Sequence, residues 1–222
     1  MPVLNEATDY NDENGNSIIG TATSKGRLTI FFGAKNCRIE IEEGVTLKDV
    51  NITMQADGGT VILKKDTELR GRVRTGLNST IIVGSRLKPT GSMNISAAEG
   101  TSVTIGNDCM FAVDIDIRSD DAHPIFSRST GQRLNHSRSV TIGDHVWLGP
   151  HVAVLSGSNI GKGSVIGYRS VVKGEIPEHC IAVGTPAKVT KTDIVWDKLH
   201  LSVQQPWSFD SSEGLSLWSP DV

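Results

Sequence analysis

Between Ser139 and Val172 the chain places an aliphatic residue at every sixth position: Ile142, Leu148, Val154, Ile160, Ile166 and Val172. Glycine follows several of them, at Gly143, Gly149, Gly161 and Gly167. A helix repeats its apolar face every ~3.6 residues and a strand every ~2, so this period belongs to neither alone. It fits a short strand followed by a turn, repeated. Three such units predict a triangular coil with one aliphatic residue pointing inward from each flat side. The small residue four positions further on (Val146, Val152, Ser158, Ser164, Ser170) shares that crowded interior. Glycine lets the backbone bend or approach closely at the corner. Stacked coils then pair their strands in parallel, each burying its face against its neighbours.

Upstream the pattern is looser. From Leu28 to Val83 apolar residues alternate with charges, as in "CRIEIEEGVTLKDVNITM" and "GTVILKKDTELRGRVR". Gly44, Gly58, Gly59, Gly71 and Gly76 punctuate these runs, which predict early coils with a less strict repeat. "TSVTIGNDCMF" restores the pattern at Ile105-Gly106. Residues 1–25 are polar and rich in Asn, Asp and Gly, and are expected to form a mobile lead-in. Residues 118–139 have no period and contain Pro124 and Gly131, so a loop is expected to project from the solenoid there. Such loops often carry function. After Val189 the repeat ends. "TDIVWDKLHLSVQQPW" is expected to form a short cap, helical or extended, and the Ser-rich residues 208–222 a frayed end with Trp218 exposed. The organisation expected is one β-helix domain over 26–190 and an extension over 191–222.

Composition narrows the classes. The 222 residues are 37% hydrophobic and 21% charged, enough for a core and a solvated surface. A net charge of −3 gives no general reason to bind nucleic acid or an acidic membrane. No apolar run approaches the ~18 residues of a membrane span, and no basic segment leads into an apolar one at the start. Cys37, Cys109 and Cys180 are odd in number and widely spaced, which reads as reduced thiols in a cytoplasmic protein. Without a CxxC pair, no structural metal is expected.

Candidate chemistry gathers in and after the loop. His123 stands beside Asp120 and Asp121, and imidazole takes a proton from an alcohol near neutral pH. A surface histidine paired with a neighbouring aspartate is the plainer alternative. Trp147 is a large aromatic in a repeat of small residues, and its indole N–H is a donor only. It could hold an acceptor, a thioester sulfur or an oxyanion; a tryptophan filling a subunit contact is the alternative. Asp114 and Asp116 flank the loop as turn residues. Arg118, Arg128, Arg133 and Arg138 surround it, suited to an acidic saccharide or to the loop aspartates.

The sixfold units, followed by "EIP" and "GTPAKV", resemble the hexapeptide-repeat acyltransferases. The resemblance implies an all-β, left-handed parallel β-helix. "SDDAHPIF", "GQRLN" and "VTIGDHVWLG" are similar to the subgroup that O-acetylates capsular and other surface polysaccharides, including the polysialic acid O-acetyltransferases. That similarity implies His123 and Trp147 as the catalytic pair, with His123 the general base in a ternary complex. It implies acetyl-coenzyme A as acetyl donor, met by backbone amides near Gly149, Gly167 and Tyr168 and by Pro186, Lys188 and Lys191. Asp121 and Arg133 are the residues expected at the saccharide acceptor, and a homotrimer is the assembly expected. The chain departs from the family at Gly174, where a lysine is common, with Lys173 one position earlier.

Other readings stay open at this level. An N-acetyltransferase of an amino sugar would use the same histidine chemistry. An acyl-cysteine on Cys109 or Cys180 would need a thiol that is not buried. His145 and His151, six apart, raise a γ-carbonic-anhydrase-like zinc site, although that spacing puts them on different sides of one coil. A non-catalytic scaffold on the same solenoid is the last.

Overall fold

A computed structural model describes residues 3–202. Its strands form three sheets, and neighbours within a sheet come from successive coils. On one face Ile105, Ile142, Ile160 and Ile176 stack in parallel register. On the next, Phe111, Leu148, Ile166 and Ala182 do the same. On the remaining face the ladder is Ile117, Val154 and Val172. All of these side chains are buried, so the sixth-position aliphatics are the core of a parallel β-helix, as the period predicts. The small residues from Val146 to Ser170 are buried too. Their hydroxyls are satisfied within the core: Ser158 Oγ donates to the Val172 carbonyl at 3.1 Å and Ser164 Oγ to that of Pro177 at 2.8 Å.

The early coils are longer. Thr141 pairs with Asn159, an interval of 18 residues, whereas Arg38 pairs with Thr60, an interval of 22. Long strands such as Thr46–Met54 and Glu68–Thr75 run through what is a corner in the later coils, with a register shift between Lys48 and Val50. Asp49 takes a φ of 50° at that shift and Gly71 one of 101° beside it. Two sides of the triangle thus merge into one bent strand, which is why strict sixes fail in this half.

Residues 3–25 do not form the mobile lead-in expected of them. Val3–Leu4 lies antiparallel to Ile30 and Phe31, and Ser17–Ile19 adds in parallel to Arg38–Ile41. Asn16 is buried, donating to the Ala34 carbonyl and accepting from the Cys37 amide, each at 3.0 Å. The first coil of a solenoid leaves its core and strand edges open, and this polar segment closes them. At the other end Cys180–Gly184 turns at Gly184 into the antiparallel strand Ala187–Thr192. One core runs without a break from Ala7 to Ala182. The Ser-rich end and Trp218 lie outside the described residues. No helix among the described residues is long and apolar enough to cross a membrane.

Candidate active site

The loop after Ile115–Arg118 leaves one sheet and rejoins the next at Val140. Its root is fixed by Asp120, a buried carboxylate. Asp120 accepts from Arg74 Nη2 at 3.1 Å, Ser96 Oγ at 2.7 Å and the Ala122 amide at 2.9 Å. Of the two aspartates considered as partners for His123, this one is occupied with the scaffold. Asp121 stays exposed and accepts from Asn135 Nδ2 at 3.0 Å.

The chain then turns tightly. Ala122 takes a φ of 63°, and the His123 amide donates to the Asp121 carbonyl at 2.7 Å. Asn135 closes the turn from the returning limb: Nδ2 donates to the His123 carbonyl at 2.9 Å, and Oδ1 accepts from the Ile125 amide at 2.7 Å. Between these points Phe126 and Arg133 form an antiparallel bridge. The His123 imidazole is exposed and makes no hydrogen bond among the described residues. Its backbone is held while its ring stays open to a ligand.

Arg133, expected at the acceptor, is spent elsewhere. Its guanidinium makes a two-pronged bridge to Glu99, with Nη2 at 2.8 Å from Oε2, and also donates to the Asn135 carbonyl at 3.1 Å. Ser137 Oγ adds a donor to the same Glu99 oxygen at 2.5 Å. The Arg133 and Ser137 hydrogen bonds push the Glu99 pKa down to about 2. Arg133 therefore ties the arm to the coil. A shallow cleft opens here between Glu99, Asp121, Pro124 and Arg133.

Trp147 lies on another face, in the strand Trp147–Leu148 between Met110 and Val165 of adjacent coils. It is half-buried, and its indole N–H has no hydrogen-bond partner among the described residues. His123 and Trp147 are thus carried on different sides of one solenoid.

The glycines near Trp147 have a packing role. A Cβ on Gly149 would stand 2.9 Å from the Ile166 carbonyl oxygen, and one on Gly167 would stand 2.5 Å from Val183 Cγ1. The amides expected to face the coenzyme instead hold the coils together: Gly149 donates to Ile166 at 2.8 Å and Gly167 to Ala182 at 2.9 Å. The Trp147 amide is likewise given to the Ser164 carbonyl at 2.9 Å. Tyr168 differs. Its exposed ring meets the edge of His151 at 5.4 Å, with the Arg169 guanidinium 5.2 Å over its face. Pro186, Lys188 and Lys191 stand exposed on the final hairpin, where Lys188 pairs with Val183 and Lys191 with Ile181.

His145 and His151 occupy successive corners, each with positive φ. His151 Nδ1 is 3.4 Å from Asp114 Oδ2. His145 Nδ1 lies 2.8 Å from Asp108 Oδ2 and Nε2 lies 3.0 Å from the Trp196 carbonyl oxygen. Burial disfavours the Asp108 carboxylate, but hydrogen bonds from Lys198 and His145 hold its pKa below the ordinary value. Sequence reading passed over Trp196 and Asp108; "DIVWDK" after the last repeat, with aromatic and base two residues apart, was the available signal. Cys109 and Cys180 are fully buried, and burial pushes the Cys109 thiol up to about 12, so it is not a thiolate near neutral pH.

Comparison with known proteins adds to this geometry. The family model described as bacterial transferase hexapeptide (six repeats) matches residues 139–174. A polysialic acid O-acetyltransferase of Neisseria meningitidis is 33% identical over 195 residues, covering 85% of this chain and 89% of that protein. One from Escherichia coli O1:K1 / APEC is 31% identical over 144 residues, covering 64% of this chain but 47% of that longer protein. The crystal structure of the polySia specific acetyltransferase NeuO matches with a TM-score of 0.76 and 28% identity, over 91% of each chain. That of the polysialic acid O-acetyltransferase OatWY shares the fold, with a TM-score of 0.58 and 24% identity over 90% of this chain and 92% of that one.

Proposed function

Because the chain belongs to the hexapeptide-repeat transferase family and is an acyltransferase, we propose that it transfers acetyl from acetyl-coenzyme A to a hydroxyl of a surface saccharide, capsular or lipopolysaccharide. The observation that carries this reading is the open imidazole of His123 on a backbone stapled by Asn135. A base must hold its position yet keep its lone pair for the substrate.

In this reading His123 takes the proton of the attacking hydroxyl as the new C–O bond forms at the thioester carbon. The indole N–H of Trp147, without a hydrogen-bond partner among the described residues, donates to the oxygen that gains charge. His123 then returns its proton to the departing thiolate as the C–S bond breaks, so the histidine ends as it began. Asp121 lies beside the acceptor at the exposed loop root. Lys188 and Lys191, exposed cations beside Pro186 on the last hairpin, fit the phosphates of the donor, with Tyr168 one coil below as a flat surface for its arm.

His123 and Trp147 lie on different sides of one solenoid, so a second copy completes the pair. A closed ring of three copies supplies three such junctions. Relatives named for polysialic acid support a polymeric, acidic acceptor.

The test is acetyl transfer from acetyl-coenzyme A to a panel of sialylated, neutral and amino saccharides, by wild type and His123→Ala. Transfer to a hydroxyl that drops about 10²–10⁴-fold in the variant is expected. Undiminished transfer in His123→Ala would overturn the assignment.

A further inference from the structure

The segment after the last hairpin runs down one corner of the solenoid, against the direction in which the coils stack. The Ile194 amide donates to the His179 carbonyl at 3.0 Å. Two residues on, Trp196 Nε1 donates to the His145 carbonyl at 3.0 Å. Two further on, Lys198 bridges to Asp108, one coil lower again. His179 covers Gly163 between these points: a Cβ on Gly163 would stand 2.6 Å from the His179 ring. Residues 193–198 thus form a strap pinned to three coils.

Trp196 is the centre of it. Its ring stacks on the His145 imidazole, with centroids 4.1 Å apart and planes 13° from parallel. It also leans on Trp147, at 5.8 Å and 43°. His145 is held between Asp108 Oδ2 and the Trp196 carbonyl oxygen, one at each ring nitrogen. Asp108 is held by Lys198 and His145 and approached by Arg86 Nε at 3.8 Å.

We propose that this strap is a positioning device for Trp147: Trp196 fixes the direction of the Trp147 indole, and the Asp108–His145–Lys198 cluster fixes Trp196. The proposal rests on the reading that Trp147 belongs to the acyl-transfer site. Closing the end of the solenoid does not explain the strap, because the hairpin Cys180–Thr192 already does that. Ordering an exposed segment costs backbone entropy, so it stays in place only through these contacts. What they fix beyond the strap itself is the side chain of Trp147, which otherwise projects half-buried from its sheet between Met110 and Val165. Trp196 is a positioning residue, because it acts through Trp147.

The experiment compares wild type, Trp196→Ala, Trp196→Phe, Lys198→Met and Trp147→Ala. Coenzyme A release from acetyl-coenzyme A is followed with polysialic acid as acceptor and with water alone. The indole exciton couplet in circular dichroism reports the Trp147–Trp196 pair independently of activity. Expected are loss of the couplet and a fall in kcat on the order of tenfold in Trp196→Ala, with KM for acetyl-coenzyme A within about twofold. Lys198→Met, which leaves the coils intact, weakens both signals in the same direction. Trp196→Phe restores most of kcat although its couplet is gone, since it keeps the ring and loses the N–H. A Trp196→Ala enzyme that loses the couplet but keeps its full kcat overturns the strap. A wild-type protein without a couplet does so as well. If Trp147→Ala also turns over at the full rate, the reading of Trp147 is what failed, and the strap's role falls with it.

Discussion

Asn135 holds His123 by its main chain and leaves its ring alone: Nδ2 donates to the His123 carbonyl at 2.9 Å, across twelve residues of loop. The same amide group reaches Asp121 and Ile125, so one side chain sets both limbs of the turn. Asn135→Ala should therefore lower acetyl transfer by roughly 10- to 100-fold while shifting the melting temperature little, because a misplaced base costs rate rather than fold. Rate and thermal denaturation measured on the same preparation check this, and an unchanged rate would remove Asn135 from the site.

The Arg133–Glu99 bridge gives the arm a pH dependence. Glu99 is depressed to about 2 in the folded chain, against an ordinary value of 4.5. A depressed carboxylate contributes its stability above the unfolded pKa and loses it as pH falls through the folded one. The arm at 125–134 should thus stay protected down to about pH 4.5 and open progressively toward pH 2. Both partners are partly exposed, so salt will soften the effect. Amide exchange over 125–134 would show it, and Glu99→Gln should open the arm already at neutral pH.

Cys109 offers a direct test of the covalent alternative. With its thiol buried and its pKa near 12, it should resist iodoacetamide in the folded protein at pH 8 and react only after denaturation. Cys109→Ala should keep its transfer rate and lose about 1–2 kcal/mol of stability to the cavity. A burst of acetylated enzyme that disappears in Cys109→Ala would reinstate the acyl-cysteine.

Gly161 sets the spacing between coils. A Cβ there would stand 2.4 Å from the Glu178 amide nitrogen and 2.7 Å from its Cα, both rigid backbone. Gly161→Ala should therefore destabilise the chain by about 1–3 kcal/mol through forced separation of two coils. Gly100→Ala makes a useful contrast: no atom lies within 4 Å of its Cβ, and any cost there comes from its φ of 70°. Denaturant titration of the two variants separates the causes.

Much of the solenoid was legible because a stack of coils repeats one local solution. Ile142 and Ile160 announce the ladder they form, and the buried serines follow from the same count. The early coils were harder, since Asp49 and Gly71 bend one strand where a corner would restart the period. A repeat near 22 residues, visible in "GVTL" at Gly44 and "DTEL" at Asp66, was the signal to follow there. The N-terminal segment misled because its polar composition says nothing of an open coil end. His123 and Trp147 were singled out by their motifs alone. The bridge from Arg133 to Glu99 was not legible because the two lie 34 positions apart.

The sequence by itself determined the coil: a sixth-position aliphatic, a small residue and a glycine are enough to specify strand, turn and stacking, because each contact joins equivalent positions of neighbouring coils. Only the tertiary structure decided which polar groups remain available. The amides of Gly149 and Gly167 and both terminal nitrogens of Arg133 are engaged, while the His123 imidazole and the Trp147 indole have no hydrogen-bond partner among the described residues. The physical reason is that a hydrogen bond is settled by whatever partner lies within about 3 Å, and in a solenoid that partner comes from another coil or from the returning end of the chain.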